Sequence, residues 1–75
     1  MISSEVRSEI TGSVWKILVA VGDSVTEDQD LMLLESMKME IPVMAPVSGK
    51  VLSLLVEEGM SILEGAVVAV IGVDG

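Results

Sequence analysis

Few side chains in this sequence could take part in covalent chemistry. The 75 residues include no Cys and no His, which excludes thiol nucleophiles, disulfides, Cys/His zinc sites and imidazole acid–base catalysis. The side chains that carry a nucleophilic amine are Lys16, Lys38 and Lys50. Carboxylates are plentiful, but no spaced pair of them looks preorganised for acid–base work. We therefore expect a chain that is not itself an enzyme, that binds no metal, and whose chemistry centres on an amine.

The charge of the chain argues against binding to nucleic acids. Twelve acidic residues outnumber four basic ones, and the formal net charge is −8 at pH 7. Phosphate backbones repel such a chain, and one aromatic residue, Trp15, makes no platform for stacked bases. The densest apolar run, Ala66–Ile71, is far shorter than the roughly 18 residues needed to span a bilayer. We expect no nucleic-acid or membrane partner and a cytoplasmic location, which the absence of Cys fits.

An internal repeat divides the chain into two halves. Residues 10–35 align with residues 47–72 without a gap, at a constant offset of 37 residues. The identical pairs are Gly12/Gly49, Val14/Val51, Leu18/Leu55, Val19/Val56, Gly22/Gly59, Ser24/Ser61 and Glu27/Glu64. Two copies are too few for a solenoid, which needs about three. The repeat instead predicts a single domain over residues 1–75, with half-repeats at about 5–35 and 42–72.

Each half has the pattern of short β-strands. Val-rich stretches bounded by Gly and Asp recur at about 8–12 residues, which is typical of sandwiches and barrels. The apolar alternation breaks between Val14 and Ile17 and again between Val51 and Leu54, so we expect a bulge at the same place in both halves. The predicted fold is all-β: a flattened barrel or sandwich of two small antiparallel sheets with internal pseudo-two-fold symmetry.

Residues 31–41 conflict with this pattern, because Leu, Met, Glu and Lys favour a helix. The repeat favours a strand instead, since Leu31–Leu34 aligns with the β-branched segment Val68–Ile71. Propensity is the weaker of the two signals, because tertiary context often overrides it.

A hairpin over residues 36–41 is expected to join the two halves. Met37 and Lys38 lie at its tip if the flanking strands are antiparallel, and the offset makes position 38 equivalent to the chain ends, positions 1 and 75. Lys38 should therefore project from the end of the domain opposite the termini. Tight hairpins favour Asn-Gly or Asp-Gly because their turns need positive φ, and exposed methionines are uncommon. A tip that breaks both preferences indicates that another molecule recognises it.

The other two lysines lack such a setting. Lys16 aligns with Ser53 and Lys50 aligns with Ser13, so neither amine is shared by the two halves. A lone lysine is usually a solvated surface residue, and we assign that role to Lys16 and Lys50. Lys38 differs by its place at the tip and by its flanking methionines.

The residues around this lysine resemble a known motif. Glu35-Ser-Met-Lys-Met-Glu40, followed by Ile41 and by Ala45-Pro-Val-Ser-Gly49, is similar to the biotin-attachment motif of biotinyl domains, the carrier domains of biotin-dependent carboxylases. The glycines, turns, repeat and length of nearly the whole chain fit this family. Glu9-Ile-Thr-Gly12 departs from the Ala-Pro-Met-Pro-Gly stretch of many biotinyl domains, and the ungapped repeat leaves no room for the extra loop that some carry. The chain resembles either a small free-standing carrier or a domain cut from a larger enzyme, and Met1 favours the former.

The resemblance implies a role for each residue of the tip. The side-chain nitrogen of Lys38 would carry biotin in amide linkage. A biotin protein ligase would recognise Met37 and Met39, and Glu35 and Ser36 would complete the recognised surface. The attached biotin would carry a carboxyl group between the active sites of a biotin carboxylase and a carboxyltransferase, and the carrier itself would not be catalytic.

Two other functions stay open at this point. A lipoyl carrier shares the fold and would bear lipoate on Lys38, although lipoyl domains usually have Asp where this chain has Met37. The other alternative is an unmodified β-module that only binds a partner protein. Met37, Met39 and Met44 would then form an adaptable contact patch.

Overall fold

The computed structural model describes residues 2–73, and this range contains strands and turns but no helix. The strands are β1 (Ile2–Arg7), β2 (Gly12–Ile17), β3 (Ser24–Val25), β4 (Asp30–Ser36), β5 (Met39–Met44), β6 (Gly49–Leu54), β7 (Ser61–Ile62) and β8 (Val67–Val73). In the part of the chain so described, no helix exists that could cross a membrane.

The strands form two four-stranded antiparallel sheets. Their orders are β1-β8-β6-β3 and β5-β4-β2-β7, and one apolar core takes buried side chains from both sheets. Val14 and Leu34 come from the second sheet, while Val51 and Ile71 come from the first. This architecture confirms the predicted all-β fold of two small antiparallel sheets.

The backbone repeats with the offset found in the sequence. Each of the first four strands has a counterpart of equal length 37 residues later. The pairs of equivalent strands are β1 and β5, β2 and β6, β3 and β7, and β4 and β8. Hydrogen bonds outside the strand ladders repeat in the same way. Gly22 N donates to Val51 O at 2.8 Å, and Gly59 N donates to Val14 O at 2.7 Å. The pseudo-two-fold symmetry is therefore a property of the fold as well as of the sequence.

The two halves exchange strands, so that neither half forms a sheet alone. The short strand β3 of the first half pairs with β6 of the second, and β7 of the second half pairs with β2 of the first. Each sheet consequently contains two strands from each half. The core is complete only when both halves fold together.

Both predicted bulges are confirmed. The ladder between β2 and β4 skips Trp15, and the ladder between β6 and β8 skips Leu52 at the equivalent position. Both side chains are exposed. A bulge bends its strand and increases its twist, which allows each sheet to curve around the small core.

The helix-prone segment forms two strands, as the repeat predicts. Leu31, Met32 and Leu34 are 0% exposed, because β4 lies between β5 and β2 and faces the core. Burial of each such side chain contributes roughly 2 kcal/mol. Helix propensities differ by only a few tenths of a kcal/mol per residue, so burial determines the structure here.

We predict that Gly22→Val and Gly59→Val lower the free energy of unfolding by similar amounts, roughly 1–3 kcal/mol each. The two glycines have φ of 96° and 89°. No atom lies within 4 Å of a β-carbon built on either one, so the cost comes from backbone conformation and not from a clash. Urea unfolding followed by Trp15 fluorescence measures the effect.

The matched control is Ser3→Val at an exposed strand position, which should change the unfolding free energy little. A large loss at one glycine with none at the other would contradict the equivalence of the two turns.

Candidate functional site

The hairpin between β4 and β5 carries Lys38 at its tip. The last strand pair is Ser36 with Met39, which leaves a two-residue loop of Met37 and Lys38. Their φ angles are 52° and 65°, and positive φ at both central residues is the mark of a type I′ turn. The predicted hairpin, with Met37 and Lys38 at its tip, is confirmed.

This turn holds two residues in a conformation that L-amino acids disfavour. The left-handed region costs roughly 1–2 kcal/mol for each residue with a β-carbon, and neither Met37 nor Lys38 is a residue type that commonly adopts it. Strain of this kind persists only where the surrounding structure fixes the backbone. The hairpin must therefore be firmly anchored at its base.

The anchor is β4, which is hydrogen-bonded on both sides. Leu34 is fully buried and pairs with Ile41 of β5 and with Val14 of β2. At the last residue of the strand, Ser36 Oγ donates to the backbone oxygen of Thr11 at 3.1 Å. These contacts continue the ordered sheet to within one residue of the loop.

The tip itself is apolar and exposed. The side chain of Met37 is 91% exposed and that of Met39 is 62% exposed. Lys38 is exposed between them. Exposed apolar side chains next to one amine contribute nothing to the core, so they are available for contact with another molecule.

Two carboxylates lie on the strands that flank the tip. Glu35 and Glu40 lie directly opposite each other across the hairpin, and like charges in this position destabilise a strand pair. Over residues 2–73 the one ion pair joins Arg7 to Glu5, Nη2 to Oε1 at 3.0 Å. Lys38 thus has no ion-pair partner in that range.

The other lysines lie within regular strands. Lys16 in β2 is paired with Leu33, and Lys50 in β6 is paired with Gly72 and with Ser24 of β3. Both are exposed, and neither is at a turn or has positive φ. The structure thus distinguishes Lys38 from the two other lysines by backbone conformation.

The place equivalent to the hairpin is where the chain begins and ends. Ile2 pairs with Val73. This pair is the symmetry counterpart of the pair formed by Met39 and Ser36. Positions 1 and 75, which correspond to Lys38, lie outside the described residues. The described chain thus has open strand ends at one of the two equivalent places and a closed loop at the other.

A groove beside the hairpin was not anticipated from the sequence. Its lining includes Gly12 and Ser13 of β2, Ser36 and Met37 of the hairpin, and Ser61 and Leu63 in and directly after β7. The repeat had singled out Gly12 and Ser61 as identities. Their proximity depends on β7 lying next to β2, which sequence similarity between the halves does not reveal.

Comparison with known proteins places the chain in a family. The family model described as "Biotin-requiring enzyme" (Biotin_lipoyl) matches residues 1–71. The chain belongs to this family. It is 46% identical over 69 residues to the biotinylated protein TB7.3 homolog of Mycobacterium leprae, covering 92% of this chain and 97% of that protein. It is 42% identical over 62 residues to the biotin/lipoyl attachment protein of Bacillus subtilis, covering 83% and 85%.

A solved structure agrees with this assignment. The fold superposes on the urea carboxylase of Kluyveromyces lactis with a TM-score of 0.90 and 39% identity. The match covers 96% of this chain but 6% of the urea carboxylase. The family of biotin- and lipoyl-attachment domains named from the sequence is confirmed.

We predict that the double substitution Met37→Asn/Lys38→Gly raises the free energy of unfolding by roughly 2 kcal/mol, because Asn-Gly suits a type I′ turn. Urea unfolding followed by Trp15 fluorescence is the measurement. Met37→Leu/Lys38→Arg is the control, since it keeps both β-carbons and the same strain, and it should leave stability unchanged. An Asn-Gly variant no more stable than this control would show that the tip is not strained.

Proposed function

We propose that Lys38 carries biotin in amide linkage and that the domain works as a carboxyl carrier. The observation that supports this most strongly is the backbone of the tip: a lysine and a methionine occupy positive-φ positions in a two-residue turn, at the end of a strand that buries Leu31, Met32 and Leu34. A conformation with that cost in an exposed loop is expected of a site with a function. Family membership supplies the chemical identity of the attached group.

Attachment must rely on a separate enzyme. A lysine amine in water is protonated at neutral pH, and the protonated form is not a nucleophile. For acylation, the nitrogen must lose a proton and form the C–N bond to an activated carboxyl carbon, whose activating group leaves with the bonding electrons. We assign both the activation of biotin and the uptake of the proton to a biotin protein ligase.

The ligase would recognise the tip by its shape and its apolar surface. Met37 and Met39 project on either side of the amine, and methionine adapts well to partner surfaces. Glu35 and Ser36 form the adjoining part of the recognised surface. Because the sheet fixes the backbone of these residues, little ordering entropy is lost on binding.

The domain contributes position, not catalysis, to carboxyl transfer. Biotin held on Lys38 would supply a ureido nitrogen as the carrier of the carboxyl group, and a biotin carboxylase and a carboxyltransferase would supply the catalysis. The rigid β4–β5 hairpin holds the base of this arm, so that the arm reaches each active site at high effective concentration. The surplus of acidic residues would steer the carrier toward basic docking surfaces. The cytoplasmic location expected from the sequence stays a prediction.

We predict that coexpression with a biotin protein ligase adds one biotin to the wild-type chain and none to Lys38→Arg, because the amine that the ligase reaches is that of the tip. Intact-mass spectrometry is the measurement. Lys16→Arg and Lys50→Arg are matched controls and should be modified as fully as the wild type.

Each other outcome of this experiment has a clear meaning. A lipoyl adduct on Lys38 would replace the proposal by the lipoyl carrier. A biotin adduct that survives in Lys38→Arg would move the site to another amine. No adduct on any variant, with a partner protein still bound by Lys38→Arg, would favour the unmodified interaction module.

We also predict that Met37→Asp lowers the rate of biotinylation at least tenfold without unfolding the domain. The substitution removes an apolar contact and adds a third carboxylate, whose charge is unfavourable on a surface that fits methionine. The activation free energy of biotinylation should rise by more than about 1.4 kcal/mol. Time courses with purified ligase measure the rate. Met44→Asp, another exposed methionine on β5 but at its far end, is the control and should react normally. Equal rates for both variants would contradict recognition through Met37.

A further inference from the structure

The groove beside the hairpin is an open surface depression with a volume of about 550 Å³. Both polar and apolar side chains line it. It is bounded by Met37 and therefore begins one residue from Lys38. Nothing described so far gives it a role.

The backbones of β2 and β4 are closely packed at Gly12, which lines this groove. A β-carbon on Gly12 would lie 2.6 Å from the backbone oxygen of Glu35, so only glycine allows β2 to approach β4 so closely. Thr11 also lines the groove, and its Oγ1 accepts a hydrogen bond from Glu64 N at 3.0 Å. The backbone that frames the groove is thus preformed.

A polar row crosses the sheet along one side of the groove. Ser61 is paired with Ser13, and Ser13 is paired with Glu35, so these three side chains lie next to one another on the same face. Hydroxyls donate and accept hydrogen bonds, and a carboxylate accepts two or more. The row complements a cyclic urea, which has one carbonyl oxygen and two N–H groups.

The apolar part of the groove is unusually exposed. Leu63 is 72% exposed and lines the groove together with Met37. An aliphatic and a thioether side chain offer adaptable apolar contacts to a saturated sulfur-containing ring.

The pseudo-symmetry provides a comparison within the same molecule. At the equivalent place at the other end, Gly49 corresponds to Gly12. The hydrogen bond from Glu64 N to Thr11 Oγ1 also has a counterpart there, from Glu27 N to Ser48 Oγ at 2.8 Å. The side chains that would touch a ligand are different there: Lys50 replaces Ser13, Gly72 replaces Glu35, Val73 replaces Ser36 and Thr26 replaces Leu63. The two ends share the framework but not the polar row or the exposed leucine.

We propose that this groove is a resting site for the biotin headgroup carried on Lys38. The ureido ring is held by the Ser61–Ser13–Glu35 row, and the thioether ring packs against Leu63 and Met37. The proposal rests on biotinylation of Lys38. Because the arm is tethered beside the groove, its effective concentration there is in the millimolar range, so that even a site of millimolar affinity is occupied about half the time. Docking to a partner enzyme then competes with this resting state.

The test compares amide chemical shifts of the unmodified and the fully biotinylated protein, with loading established by intact mass. We expect biotinylation to shift the amides of Ser13, Ser61 and Leu63. The amides of their symmetry counterparts Lys50, Ser24 and Thr26 serve as internal controls and should not shift.

A second experiment uses a variant that changes the groove and leaves the hairpin around Lys38 unchanged. Ser13→Lys/Leu63→Thr installs the residues found at the equivalent end, where the same backbone accepts them. This variant should fold and be biotinylated normally, and its groove amides should no longer respond to loading. Avidin should also capture its biotin roughly twofold faster, because no fraction of the arm is held in the groove.

The two hypotheses fail in different ways. Full loading with shifts confined to residues 36–39, or equal avidin capture for both proteins, would overturn the resting site and leave the carrier function intact. A chain that takes up no biotin from the ligase would overturn the proposed function and the resting site with it.

Discussion

Burial of β4 between two neighbouring strands allows a strained loop to persist at the end of the domain. Leu31, Met32 and Leu34 have no exposed surface, and the strand is hydrogen-bonded to β5 on one side and to β2 on the other. Their burial contributes several kcal/mol, whereas the two positive-φ residues cost about 2–4 kcal/mol together. The surplus lets a lysine and a methionine occupy positions where glycine and asparagine are the usual residues. The same rigidity would give an attached arm a fixed base.

The two equivalent ends of the fold have diverged. The framework is common to both, as shown by Gly12 and Gly49, each of which packs against the backbone of the neighbouring strand. At one end the strands close into the hairpin of Lys38, and at the other they are the first and last strands of the described chain. Exposed methionines, the two opposed glutamates and the groove lined by Leu63 occur at the hairpin end. The fold thus contains one structural unit twice, and residues suited to a site are concentrated at one of its two equivalent ends.

Much of this fold could be predicted from the sequence because the repeat constrains each half by the other. The β assignment of Leu31–Leu34 follows from aligning the halves, and the two bulges follow from the same break in apolar alternation in both halves. The tip follows from pairing the flanking strands as an antiparallel hairpin. The groove could not be predicted, since it depends on β7 crossing to pair with β2, and strand exchange leaves no local signal. The positive φ of Asp28 was also missed; its counterpart is Gly65, so a glycine in one half does mark the conformation of the other. The attached group itself follows from the family and not from the geometry, because an exposed lysine on a hairpin does not specify what it carries.

The central claim is that a single amine at a strained, rigid tip is the attachment point of this carrier. Fragmentation mass spectrometry of wild-type protein treated with a biotin protein ligase tests this claim most directly, because it assigns the modification to an individual residue without any mutation. The account predicts one biotin per chain, located on Lys38. Biotin on Lys16 or Lys50, or distributed over several lysines, would contradict it.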